Sequence, residues 1–350
     1  MSKAAYRLAF EKPIAELETQ LAELEAGDKT PHRLDEISRG KRELAERKRT
    51  IYANLTPWQT VQVSRHDERP RTSDYLQLVF DEFVELHGDK FFGDDRALRT
   101  GLAKLDRHKV LVVGHEKGRT LKERTACFFG CAHPEGYRKA LAKMKLAAKF
   151  HLPIICLIDT PGAYPGVGAE DRGQAQVIAQ NMFEMSRLPT PIVCVVIGEG
   201  GSGGALGIGV GDRVAMLEHA YYSVISPEGC AGILWKSGKY SEQAAGALKM
   251  TSRDLAGLGV VDDVIEEPLG GAHRDHHQIA TRLKMYLLKS LRELTGTPTE
   301  RLLEGRYQKY RRMGVYLERA TSGAEGPAAD PSTAGQPAGP HFSLAAEPAW

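Results

Sequence analysis

From Pro13 the apolar residues Ile14, Leu17, Leu21 and Leu24 recur at spacings of three and four, which predicts a helix with one apolar face. Gly27 stops that run. Leu34, Ile37, Leu44, Ile51 and Leu55 then continue at near-helical spacing until Pro57. The pattern predicts an antiparallel helical hairpin over 1–57. Such a hairpin cannot bury both faces by itself, so it is expected to pack on the body or to join subunits. The basic residues Lys41, Arg42, Arg47, Lys48 and Arg49 are interleaved with Glu43 and Glu46, a solvated helix face. Between 58 and 100 the pattern predicts one further helix, opening near Ser73 or Asp74 and closing before Gly88.

Beyond residue 100 the periodicity alternates. KVLVVGHEKG reads as a strand entering a turn, and EGYRKALAKMKLAAKF as a helix opened by Pro134 and Glu135. PIICLID is a short apolar strand followed by the loop TPGAYPGVGAE. A helix over 170–187, the strand PIVCVVI and the loop GEGGSGG come next. AMLEHAYYSVIS predicts two short strands, SPEGCAGILW a loop entering a helix, VVDDVI a strand, and 275–293 a long helix. Repeated strand, loop and helix make the class α/β. From Ser322 the chain is rich in Gly, Ala and Pro and has no apolar period, so a disordered tail is expected over 316–350.

Charge narrows the function. The 47 basic and 45 acidic side chains leave a formal net charge of only +2, so no field points to nucleic acid or an anionic membrane. The apolar runs are too short to span a bilayer. The first residues lack the apolar core of a signal peptide. Five cysteines, an odd and scattered set, do not form a disulfide framework. A reduced, cytoplasmic setting is expected. No metal site is expected either, because Cys127, Cys131 and His133 have no second ligand pair at zinc-ribbon spacing. No G-x-x-x-x-G-K-[ST] phosphate loop is present.

The 36 glycines crowd into the middle of the chain, and the loop after PIVCVVI supports three chemistries. Gly198, Gly200 and Gly203 spell the dinucleotide fingerprint, with Glu218 as the ribose carboxylate. Gly200, Ser202 and Gly204 spell a nucleophile elbow, with Asp262 or Asp263 and His273, His276 or His277 completing a hydrolase order. In the third reading, Gly203 and Gly204 at a strand end present bare N–H groups to a developing oxyanion. Gly162–Gly168 and Ser226–Gly229 are comparable loops that would converge on the same pocket. Asp159 and Glu199 read as loop pins.

Six strings then decide among these: HEKGR at 115–119, PEGYRKAL at 134–141, IDTPGAYPGVGAE at 158–170, VIGEGGSGGALGIGVGD at 196–212, YYSVISPEGCAGILWKS at 221–237 and EPLGGAHRD at 267–275. With PIAELE and YLQLVFDEF, they resemble the α-subunit family of the bacterial acetyl-CoA carboxylase carboxyltransferase over about residues 10–315. The resemblance implies a crotonase-like (ClpP/crotonase) superhelix of repeated ββα units over 58–315. It implies transfer of a carboxyl group from carboxybiotin, held on the biotin carboxyl carrier protein, to acetyl-CoA, giving malonyl-CoA for fatty acid synthesis. It implies a β subunit partner in an α2β2 assembly, zinc in that partner rather than here, and ATP used by a separate biotin carboxylase.

Residue by residue, the resemblance makes Gly203 and Gly204 donors to the biotin ureido oxygen, a matching glycine pair of the partner serving the thioester enolate. Gly162, Tyr164, Pro165 and Gly166 become pocket wall, and Ser226 and Glu228 supports of the third loop. Biotin itself then takes the proton, which accounts for the lack of an obvious general base. Cys127 and Cys131 depart from the family pattern, which otherwise allows Arg119, Lys122 and Arg124 to neighbour CoA phosphates. The competing classes are a self-sufficient crotonase-type hydratase or thioesterase, a dehydrogenase and a purely structural partner.

Overall fold

The computed structural model describes residues 8–28 and 30–314. The expected tail therefore lies outside the described residues. The hairpin is formed by α1 (Lys12–Glu25) and α2 (Pro31–Ala53), and the pairs Glu25–Lys41 and Glu18–Lys48, at 2.7 and 2.8 Å, fix its antiparallel register. It packs on the body through Leu8, Ile14 and Tyr52, which bury against Val63.

The connector departs from the predicted single helix. It contains α3 (Pro57–Ser64), α4 (Thr72–Val79) and the strand β1 (Glu82–Glu85). Thr56 caps α3 reciprocally with Gln59, a capping signal that the apolar pattern does not carry. Helix α4 stops at Phe80, and DEFVEL, with alternating exposure, pairs as an edge strand.

Strands β2 (Leu98–Leu105) and β3 (His108–His115) form a second departure, an antiparallel hairpin of which only the second arm was legible. After α5 (Leu121–Ala126) and α6 (Pro134–Lys149), β4 (Ile154–Thr160) begins the parallel part of the sheet. The helix expected over 170–187 is two, α7 (Val167–Asp171) and α8 (Gln174–Arg187), separated by Gly173 at φ +81°. There follow β5 (Ile192–Gly201), α9 (Ser202–Leu206), β6 (Arg213–Leu217), β7 (Tyr221–Ser223), α10 (Pro227–Trp235), α11 (Ser241–Leu248), α12 (Ser252–Gly257), β8 (Asp263–Ile265), α13 (His276–Leu294) and α14 (Thr299–Arg311).

The sheet runs β1-β2-β3-β4-β5-β6-β8, with β7 also pairing β5; it is antiparallel up to β3 and parallel thereafter. Every residue of β4 and β5 is buried, because helices cover both faces of the central strands. Helix α6 places Tyr137, Ala140, Met144 and Ala147 in the core that these strands form. The parallel strands therefore deliver Asp159, Glu199 and the glycine loop to one sheet end.

One buried side chain makes many of the polar contacts that hold the last helix. Arg306 is 1% exposed; it donates to the carbonyls of Met185, Leu188 and Thr190 and forms a two-point ion pair with Asp212 at 2.7 and 2.8 Å. Removing one partner of a buried, bidentate pair typically costs about 3–5 kcal/mol. Arg306→Ala is expected to lose that much in urea unfolding and to make α14 the first segment cut by protease. A loss below about 1 kcal/mol would contradict this.

Candidate functional site

The glycine loop meets the end of β4 backbone to backbone. A Cβ built on Gly198 would lie 2.5 Å from Asp159 Oδ1, one on Gly201 would strike the Pro161 carbonyl, and one on Gly204 would lie 2.5 Å from both Ala163 N and Gly162 C. The glycines are needed for close approach rather than for phosphate binding. Gly198 and Gly200 lie inside β5, and Glu218 accepts the Glu267 N–H, so the dinucleotide reading is not assembled. Ser202 takes the turn out of β5 at φ +51°, a left-handed conformation that a side chain adopts at a cost. Three of the candidate hydrolase partners are engaged elsewhere: Asp262 with Val214 N and Lys309, Asp263 with Tyr286, and His276 with the Glu68 carbonyl.

Gly203 and Gly204 sit in the first turn of α9, one turn earlier than the sequence implied. First-turn amides have no intrahelical acceptor and face outward. Gly203 opens onto a groove of about 1320 Å³, walled by Leu206, Tyr222, Val224, Leu255 and Tyr307. A Cβ on Gly203 would meet only Ile178, at 3.8 Å, and its φ is not positive. Of the pair, Gly204 is the sterically demanding position.

The other expected site residues do not line this groove. Gly162 N–H donates to Thr160 Oγ1 at 3.1 Å, and Gly162 abuts Gly204. Tyr164 stacks on His133 at 4.0 Å, Gly166 lies under the Tyr164 ring as the N-cap of α7, and Pro165 is exposed. Ser226 caps α10 by accepting the Gly229 N–H at 3.1 Å. Glu228 binds Arg65 at 2.5 Å. Ser223 and Val224, rather than Ser226 or Glu228, face the groove beside Gly203. Arg119 and Arg124 spend their charge on Asp74 and Asp67, at 2.7 and 2.8 Å.

Beneath the loop lies an ion network that the sequence showed only at its two acids. Lys117 Nζ is 2.6 Å from both Asp159 Oδ1 and Glu199 Oε2; Arg65 Nε and the Tyr221 hydroxyl reach Glu199 Oε1 at 2.7 and 2.8 Å. Asp159 Oδ1 also accepts the Glu199 N–H at 2.9 Å. Burial alone would raise the Glu199 pKa, but Lys117 and Arg65 outweigh it and bring it to about 2. Burial likewise opposes the charge on Lys117, and the two carboxylates overcome it, raising the lysine.

Among the described residues, Glu11, His66 and His273 stand at metal-ligand spacing. Glu11 is also a joint between the hairpin and the body, while both buried ring nitrogens of His273 lack a hydrogen-bond partner among the described residues. His66 Nδ1 accepts the Glu68 N–H at 3.1 Å, and the two imidazoles stack at 4.0 Å. Glu11 Oε1 already takes Arg274 at 2.7 Å and Tyr52 at 2.8 Å, tying the hairpin to the body.

With this geometry in view, the profile of the "Acetyl co-enzyme A carboxylase carboxyltransferase-like" family matches residues 7–314. The chain belongs to that family. Acetyl-coenzyme A carboxylase carboxyl transferase subunit alpha of Rhodopirellula baltica is 66% identical over 315 residues, covering 89% of this chain and 98% of the relative. The subunit alpha of Methylococcus capsulatus is 54% identical over 316 residues, covering 90% and 98%. Among solved structures, a Pseudomonas malonate decarboxylase hetero-tetramer in complex with coenzyme A aligns at a TM-score of 0.54 and 18% identity, over 68% of this chain and 93% of that one. A transcarboxylase 12S structure aligns at 0.50 and 24%, over 62% and 42%. At these identities the structures establish kinship of a mixed α/β fold.

Glu199 makes stability depend on pH. Its folded pKa, about 2, lies below the ordinary value of 4.5. The stabilisation is therefore complete above 4.5 and is lost as pH falls toward 2. Glu199→Gln is expected to lower the melting temperature at pH 7 and to flatten its fall below pH 4.5. An unchanged acid limb would show that Glu199 is not held charged.

Proposed function

We propose that this chain is the α half of a carboxyltransferase that transfers a carboxyl group to acetyl-CoA, forming malonyl-CoA, and that Gly203 and Gly204 are its oxyanion donors. The observation that carries this reading is the family match over residues 7–314, in a chain whose Gly203 opens a strand end onto a large apolar groove, with Gly204 buried directly behind it. The crotonase-like arrangement is part of the proposal; it is supported by the antiparallel β2–β3 unit packed under α6 and by the parallel strands added after it.

Carboxybiotin, brought by a carrier protein, supplies the carboxyl group and a ureido oxygen on which negative charge develops. The residues present fit that group. The Gly203 and Gly204 amides would hold the oxygen, and a side chain at Gly204 would fill the space that the Gly162–Ala163 backbone occupies. The apolar groove lowers the local dielectric and strengthens those hydrogen bonds. The Tyr164 loop and the Ser226–Glu228 cap are assigned supporting roles outside the groove wall. Lys117 and Arg65 neutralise Asp159 and Glu199, so the loop is pinned without placing uncompensated negative charge beneath an anion site.

The thioester is assigned to a β subunit, which also carries the zinc, with the two subunits in an α2β2 assembly. The hairpin over 1–57 contributes to that association, and the biotin carboxylase, which uses ATP, stands apart in the same cytoplasmic complex. No described helix is long and apolar enough to cross a membrane.

The test is malonyl-CoA formation from acetyl-CoA and carboxybiotin, by the chain alone and with a β subunit. Turnover only in the reconstituted pair is expected. Ser202→Ala should retain it to within about tenfold, the left-handed turn being slightly costlier for Ala. A loss near 10³-fold in a folded, assembled protein would restore a nucleophilic serine.

A further inference from the structure

The amides of Gly203 and Gly204 ride on a helix that cannot hold itself. Helix α9 has five residues, too few to offset the entropy of nucleation. It begins at the strained Ser202, at φ +51°. Its orientation must come from neighbours, and two buried side chains from different helices supply it.

Asn181, on α8, is 1% exposed; its Nδ2 donates to the Tyr137 carbonyl and to the Gly207 carbonyl, both at 3.0 Å. Gly207 N–H in turn donates to the Gly203 carbonyl at 2.9 Å. The peptide between Gly203 and Gly204 is planar and trans, so its carbonyl and its N–H point in opposite directions. Anchoring the Gly203 carbonyl therefore aims the Gly204 N–H. Tyr137, on α6 and fully buried, fixes the next peptide: its hydroxyl donates to the Gly204 carbonyl at 3.1 Å. Its ring fills the space where a Cβ on Gly207 would stand, 2.5 Å from Tyr137 Cε1. Burial pushes the Tyr137 phenol far above its ordinary range, so it remains a donor at working pH.

We infer that Tyr137 and Asn181 are positioning residues that set the direction of the Gly204 amide, by anchoring the peptides on either side of Gly204. Neither reaches the groove, so neither touches substrate. The inference rests on reading these amides as oxyanion donors. A small misalignment of a donor lowers the rate without weakening the binding of a substrate held elsewhere.

The experiment uses the full chain reconstituted with a β subunit and measures kcat, the KM for acetyl-CoA, melting temperature and assembled mass. Tyr137→Phe removes one hydroxyl, and Asn181→Leu replaces the amide with an apolar group of similar size. Each is expected to lower kcat roughly tenfold, part of the roughly 10²- to 10³-fold that a whole oxyanion donor supplies. The KM should stay within about twofold, with assembly kept. Gly207→Ala, which forces the Tyr137 ring aside, should act in the same direction and decides the matter if either variant fails to fold. Folded, assembled variants with wild-type kcat, or with a changed KM alone, would overturn the inference. Gly204→Ala, measured in parallel, separates the two levels. If it is inactive while the others are normal, the donors stand and the positioning falls. If it is active, the donor assignment itself falls.

Discussion

Lys117 is the point on which the site depends. Its ammonium lies between Asp159 and Glu199, the acids at the ends of β4 and β5, and is 2.6 Å from each. Two buried carboxylates side by side repel strongly at low dielectric, and a single buried cation between them turns repulsion into a brace. Arg65 and Tyr221 complete the coordination of Glu199 from α3 and β7. Four elements are thereby held at one sheet end, and the backbone loops that leave β4 and β5 can meet.

Their meeting is a matter of missing side chains. Gly198, Gly201 and Gly204 each face the 159–163 segment at distances that a Cβ could not share. Brace and seam act together, the ions drawing the strand ends close and the glycines allowing the approach. What emerges is a pair of amides at the start of a short helix, beside an apolar groove whose far wall is α14. That wall is secured at a distance by Arg306 and Asp212.

The sequence made the parallel strands legible because β4 and β5 are buried on both faces and read as unbroken apolar runs. It hid β1 and β2, whose alternating exposure sits among charged residues, and it merged α7 with α8 across Gly173. The glycine pair was visible through the family strings. Spacing alone left three chemistries open, and contacts count against two of them: Glu218, Asp262, Asp263 and His276 are bonded elsewhere. Asp159 and Glu199 were legible as pins, but Lys117, Arg65, Tyr137 and Asn181 were not, since each acts on residues far along the chain and carries no local pattern.

The central claim is that the Gly204 amide stabilises charge in the transition state because its backbone lies against Gly162. The most direct measurement compares Gly204→Ala with Gly203→Ala in the reconstituted enzyme, following malonyl-CoA formation and its reverse. Gly203 has room for a methyl group among its protein neighbours, the nearest being Ile178 at 3.8 Å, whereas Gly204 has none. Gly204→Ala is expected to reduce both directions by about 10²- to 10³-fold with the KM for acetyl-CoA nearly unchanged. Equal, near-normal turnover for the two variants in both directions would contradict the account.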